Sequence, residues 1–171
     1  MSVRNTPVAK GFTLIEVLVV VVILAVLAAA VSMSLAGGGG ERQLEREAQR
    51  IEALLRYVCE RAEISGRQIG VSFDPEGYFF SETEPDGWHA IKDGELRRRR
   101  WNAAMMVALS RDGIRVDTSI SSPEQPQLAC FSSGELTPFR LDLSAAELPS
   151  SYRIDGSPDG ALTLERRDAT P

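Results

Sequence analysis

Glu16 is the one charged residue between Gly11 and Ala36. A carboxylate set in an apolar run does no hydrolytic chemistry by itself, and its natural partner is a cation. An acid inside a membrane costs about 2.5–3.5 kcal/mol at the centre and less near an interface, so such a residue is kept for a partner. Cys59 and Cys130 are the only thiols. They bond if the strand carrying Cys130 lies under the helix carrying Cys59; otherwise they are two buried thiols. Two cysteines make neither a disulfide scaffold nor a thiolate zinc site. Arg97-Arg98-Arg99-Arg100-Trp101 is the densest charge in the chain. It reads as a solvated loop, as a dock for an acidic neighbouring protein, or as a weak grip on a nucleic-acid strand through phosphate contacts and stacking.

Enzyme patterns fail on inspection. Ser132-Ser133-Gly134-Glu135 has hydroxyls and a carboxylate but no nucleophile elbow and no distal histidine. Gly37–Gly40 is followed by no Lys-Ser/Thr, so it is no phosphate loop. Asp74, Asp86, Asp93 and Asp112 sit near turn glycines without the spacing of a calcium loop. The single histidine, His89, excludes a multi-histidine metal centre, and beside Trp88 it is expected to pack or to be solvated. No catalytic residue, cofactor or metal is expected.

The elements that must position these residues follow from pattern. The chain has 171 residues and net charge −5; its first eleven residues carry +2 and the rest −7. An acidic body opposes broad nucleic-acid binding. Val17 to Ala36 carries no charge, and at about 1.5 Å per residue a helix of that length spans roughly 30 Å, a bilayer core. Arg4 and Lys10 precede it, which keeps the N-terminus in the cytoplasm and sends the remainder outward. A cleaved secretory signal would use Ala28-Ala29-Ala30, but the run is too long for one and carries Glu16.

Gly37–Gly40 should break or soften the helix at about 1 kcal/mol per glycine, acting as a plain linker or as a hinge. From Glu41 to Ser65, Leu44, Ala48, Ile51, Leu55, Val58 and Ala62 recur at spacings of three and four, an amphipathic helix closed by Gly66. Glu45–Gln49, Glu52–Arg56 and Arg56–Glu60 are spaced for local pairing. After Gly66 short strands are expected at 68–73, 78–82, 88–91, 105–110, 114–118, 127–132, 138–143, 152–155 and 161–165, with Asp74-Pro75-Glu76-Gly77 as a hairpin turn. Ser144–Leu148 reads as one short helical turn, and Pro138 suggests an edge strand. The fold class is α+β, a long helix on a mostly antiparallel sheet.

Lys10-Gly11-Phe12-Thr13-Leu14-Ile15-Glu16-Val17 resembles the class III signal of type IV pilins and type II secretion pseudopilins. Gly66-Arg67-Gln68-Ile69-Gly70-Val71 with Tyr78-Phe79-Phe80, and Phe131-Ser132-Ser133-Gly134-Glu135-Leu136-Thr137-Pro138-Phe139, resemble the H-type minor pseudopilins. The resemblance implies a pilin-like fold: a cytoplasmic leader 1–11, a transmembrane helix 12–36, a glycine hinge 37–40, an amphipathic periplasmic helix 41–65 and a periplasmic head 66–171. It implies cleavage between Gly11 and Phe12 by a prepilin peptidase, N-methylation of Phe12, and a role for Glu16 in assembly.

The function so implied is structural. It is that of a subunit near the tip of an inner-membrane-assembled pseudopilus that exports folded periplasmic proteins across the outer membrane. The implied partners are the other minor pseudopilins (I, J and K types), the major pseudopilin, the peptidase, the inner-membrane platform and secreted substrates, with nucleic acid not expected. The alternative is a minor pilin of a type IV pilus, acting in pilus initiation or DNA uptake.

Overall fold

The computed structural model describes residues 14–101, 105–146 and 148–168, with the side chains of 29–38 outside the description. Helix α1 spans Leu14–Ser65, and the chain divides into two compact units at Gly39/Gly40. The helical assignment includes Gly37–Gly40, where the sequence predicts a break. Glycine weakens a helix but keeps its N–H donor, so the i→i−4 ladder can still form.

In the unit from Gly40 onward the predicted stripe is the buried one. Leu44, Ala48, Ile51, Leu55, Val58 and Ala62 are all in the core, joined by Leu54 and Cys59. Of the expected surface pairs, Gln49 donates to Glu45 at 3.4 Å. The Arg56 guanidinium goes to Glu52 at 2.7 Å rather than to Glu60.

Among the described residues ten strands follow, every pairing antiparallel, in two sheets rather than the one expected. The first has the order β3 (Gly87–Ala90), β2 (Gly77–Glu84), β1 (Ile69–Asp74), β7 (Leu128–Cys130), with β4 (Arg99–Arg100) also on β2. The second runs β10 (Leu162–Asp168), β9 (Ser150–Gly156), β8 (Phe139–Ala145), β5 (Met105–Arg111), β6 (Ile114–Val116). Alternation decides which side chains enter the core. Ile69, Val71 and Phe73 of β1 join Tyr78 and Phe80 of β2, and Leu141 and Leu143 of β8 join Tyr152 and Ile154 of β9.

β1 is buried on both faces, because the segment before β7 crosses its outer side. A Cβ on Gly70 would collide with Pro126. Pro126 has no N–H to give the ladder, and the neighbouring Gln127 side chain takes over. Its Oε1 accepts from Phe73 N at 2.9 Å and its Nε2 donates to Phe73 O at 3.0 Å.

One expectation is corrected and one shifted. Pro138 does not mark an edge, since β8 is central, between β9 and β5. The proline precedes the first paired residue, Phe139, so no ladder bond is lost. The short turn expected at Ser144–Leu148 begins later: Ser144 and Ala145 finish β8, and Leu148 N then closes a single turn on Ala145 O at 3.3 Å.

Candidate assembly site

Glu16 lies near the N-terminal end of the described part of α1. Gly11 and Phe12, the predicted cleavage pair, and the Phe12 methylation site lie outside the described residues. From Leu14 to Ala28 every side chain is exposed, and Glu16 is the only polar group among them. A helix that is apolar all round is covered by lipid or by other helices, since water would leave that surface costly. The predicted span 17–36 falls only partly on described side chains. Among the described residues no helix is long and apolar enough to cross a membrane.

In the head, Cys59 of α1 and Cys130 of β7 are brought together, with sulfurs 2.01 Å apart and Cα atoms 5.0 Å apart. The bond ties the helix to the strand that pairs with Ile69.

The arginine run is not a loose loop. Arg99–Arg100 forms β4 against Gly77 and Tyr78. Arg98 donates to Asp74 Oδ2 at 2.7 Å and stands over the Phe79 ring, 5.4 Å from its centroid. Arg97 donates to Gly94 O at 2.8 Å, Arg99 to Glu95 Oε2 at 3.2 Å, and the Trp101 indole to Asp74 O at 3.0 Å. Asp74 is the organiser. Its Oδ1 also accepts from Glu76 N and Gly77 N at 2.9 and 2.8 Å, closing the β1–β2 turn. The run is solvated as expected, with Arg97, Arg98 and Arg100 exposed, but it is a clamped segment rather than a loose loop, because Asp74 supplies both an ion pair and backbone capping.

Asp86, Asp93 and Asp112 stand in separate turns and share no metal-sized group with Asp74 among the described residues. His89 is half exposed and bonded to Asp86 at 2.9 Å. Ser133 donates to Glu135 at 3.1 Å within its own turn. Sequence reasoning missed Glu47, which is 2% exposed on the buried side of α1. Its two oxygens accept from Tyr78 OH and Arg50 Nη1, each at 3.1 Å. No local signal marks it, since its main partner is 31 residues away.

Comparison with known proteins adds to this geometry. Residues 7–32 match the prokaryotic N-terminal methylation motif, and residues 47–160 match the type II transport protein GspH family. The chain is 31% identical to the type II secretion system protein H of Pseudomonas aeruginosa, over 89% of this chain and 92% of that protein. It is 30% identical to the protein of the same description from Aeromonas hydrophila, over 83% and 84%. In fold it resembles the minor pseudopilin EpsH of the Vibrio cholerae type 2 secretion system, with TM-score 0.60 and 24% identity over 72% of this chain and 96% of that one. The solution structure of Escherichia coli GspH is similar at TM-score 0.58 and 21% identity, over 77% and 92%.

Proposed function

The chain belongs to the GspH family of type II secretion pseudopilins, and from that we propose a structural, non-catalytic subunit near the tip of a pseudopilus. The observation that carries this reading is the helix from Leu14 to Ala28, with every side chain exposed and Glu16 the single acid among them. That is a surface made to be covered by lipid and then by neighbouring helices.

In this reading Arg4 and Lys10 hold the leader in the cytoplasm. A prepilin peptidase cuts between Gly11 and Phe12 and methylates Phe12. Residues 12–36 anchor the subunit in the inner membrane, and the head from residue 66 lies in the periplasm. An oxidising compartment is also where the Cys59–Cys130 bond would persist. Gly37–Gly40, at the division between the two compact units, lets the head reorient as the helix leaves the membrane. The other minor pseudopilins lie above it and the major pseudopilin below. The assembly, seated on the inner-membrane platform, drives folded periplasmic proteins outward.

Co-purification of the full-length chain in detergent with the I-, J- and K-type pseudopilins tests this. Stable association is expected, and selective association with type IV pilus components instead would overturn it.

A further inference from the structure

The tip of the β2–β3 hairpin gathers three metal-binding side chains. The strands pair Glu82 with His89 and Glu84 with Gly87, leaving Pro85 and Asp86 as a two-residue turn. Gly87 takes φ 136°, a conformation side chains disfavour, and Pro85 stiffens the other side of the turn. Alternation puts Glu84 on the same face as Glu82, hence on the face of His89. The backbone thus fixes Glu84 and His89 diagonally, with Asp86 between them at the turn.

One ligand atom from each of Glu84, Asp86 and His89 lies within 4.8 Å of the others. Arg67 draws Glu82 aside at 3.8 Å. No ion pair holds Glu84 among the described residues. Two carboxylates therefore share the tip with one imidazole, and His89 is hydrogen-bonded to Asp86 at 2.9 Å.

We propose that Glu84, Asp86 and His89 form a site for a first-row divalent cation of the zinc class. The donor set decides the class. One imidazole nitrogen and two carboxylate oxygens suit zinc, which takes mixed nitrogen and oxygen ligands. Calcium, which binds six to eight oxygens, is poorly served by an imidazole and two acids. A tetrahedral zinc would draw the three atoms to about 3.3 Å from one another, given ligand distances of about 2.0–2.2 Å. The side chains are free to make that move, with Asp86 75% and His89 46% exposed. The cation takes the place of the His89–Asp86 hydrogen bond, with the imidazole turning a nitrogen lone pair to the metal. Three protein ligands leave a fourth position for water. The site does not depend on the assembly reading, because every ligand comes from one hairpin.

Metal-stripped full-length protein in detergent, made without a histidine tag, is titrated with Zn²⁺ by calorimetry and followed by the imidazole proton resonances. His89 is the only histidine, so these signals have one source. The expected result is one zinc per chain, displaced His89 resonances, no comparable effect of Ca²⁺, and a zinc-dependent rise in the unfolding temperature. His89→Ala should lose the binding and the rise, and the Glu84→Gln, Asp86→Asn double variant should weaken both. All three side chains are exposed, so these variants should fold. Unmoved His89 resonances, no zinc uptake, or zinc binding unchanged in His89→Ala would each overturn the site.

Discussion

The Tyr78 hydroxyl donates to Glu47 Oε1 at 3.1 Å across the contact between α1 and β2. Burial holds the phenol above its ordinary value of 10.0, and the neighbouring Glu47 carboxylate adds to that by charge and by accepting its proton. A carboxylate this deep is tolerable because both its oxygens are bonded; Arg50, half in solvent, supplies the other contact.

The pH dependence follows in sign. Below pH 10 the phenol is neutral in both states and its contribution to stability is complete. Above pH 10 the unfolded chain loses this proton while the folded chain keeps it, so stability falls as pH rises. Tyr78→Phe should remove part of that alkaline loss. It should also cost about 1.5–3 kcal/mol at neutral pH, the range for a hydrogen bond to a charged group. Urea unfolding of both proteins at pH 7 and pH 10.5 checks this, and parallel alkaline losses would refute the assignment.

The Cys59–Cys130 bond joins residues 71 apart in sequence. Closing a loop of that length removes about 4 kcal/mol of unfolded-chain entropy at most, and measured disulfides more often give about 2–4 kcal/mol. Reduction, or the Cys59→Ser, Cys130→Ser double variant, should lower stability by that order and shift the urea midpoint accordingly. An unchanged midpoint under reductant would show that the bond contributes nothing.

Gly77 is glycine because of its neighbour across the sheet: a Cβ there would collide with the Arg99 carbonyl. Gly77→Ala should push β4 away, separating Trp101 from Tyr78, whose rings now lie 5.1 Å apart. Overpacking of this kind costs about 1–3 kcal/mol. In a Trp88→Phe background the remaining indole should become more exposed, with its fluorescence shifted red. Unshifted emission would mean that β4 absorbs the methyl.

The stripe from Leu44 to Ala62 is legible in the sequence because helical periodicity is local, and the strands because turn residues punctuate them. What escapes depends on distant partners. Arg99–Arg100 shows no strand alternation, and its place on β2 is set by Gly77 and by Asp74 holding Arg98. Glu47 reads as a surface acid until Tyr78 is placed over it. The division into two sheets is a matter of long-range register, as is the meeting of Glu84 with His89. The N-terminal motif from Lys10 to Val17 is legible for the opposite reason: it is short and contiguous, it falls within the methylation-motif match over residues 7–32, and the roles proposed for Gly11 and Glu16 rest on it alone.

Processing should fail when Gly11 is enlarged. The peptidase must accommodate the residue before the cut, and a side chain there would obstruct it. Gly11→Val should accumulate a membrane-bound precursor heavier by the eleven-residue leader. Mass spectrometry of the membrane fraction reads this directly. A mature N-terminus at Phe12 in the variant would defeat the assignment.

Glu16 follows Phe12 by four residues, about 6 Å along a helix axis. Cleavage would leave a charged amine on Phe12, and methylation keeps that charge. An acid and an amine in an apolar layer each carry a desolvation cost, which pairing offsets. If the helix continues back to Phe12, the two would be a turn apart within one chain. Between chains, Glu16 of an incoming subunit meeting the amine of its neighbour would fix axial register, because a slip of one turn leaves both charges unpaired. Glu16→Val should therefore insert and be cleaved normally, since losing the charge eases residence among lipid tails. It should nevertheless assemble poorly. Cysteine crosslinking in membranes, between this helix and that of the adjacent pseudopilin, should fall well below wild type. Crosslinking at the wild-type level would end the pairing account and leave Glu16 an acid tolerated at the interface.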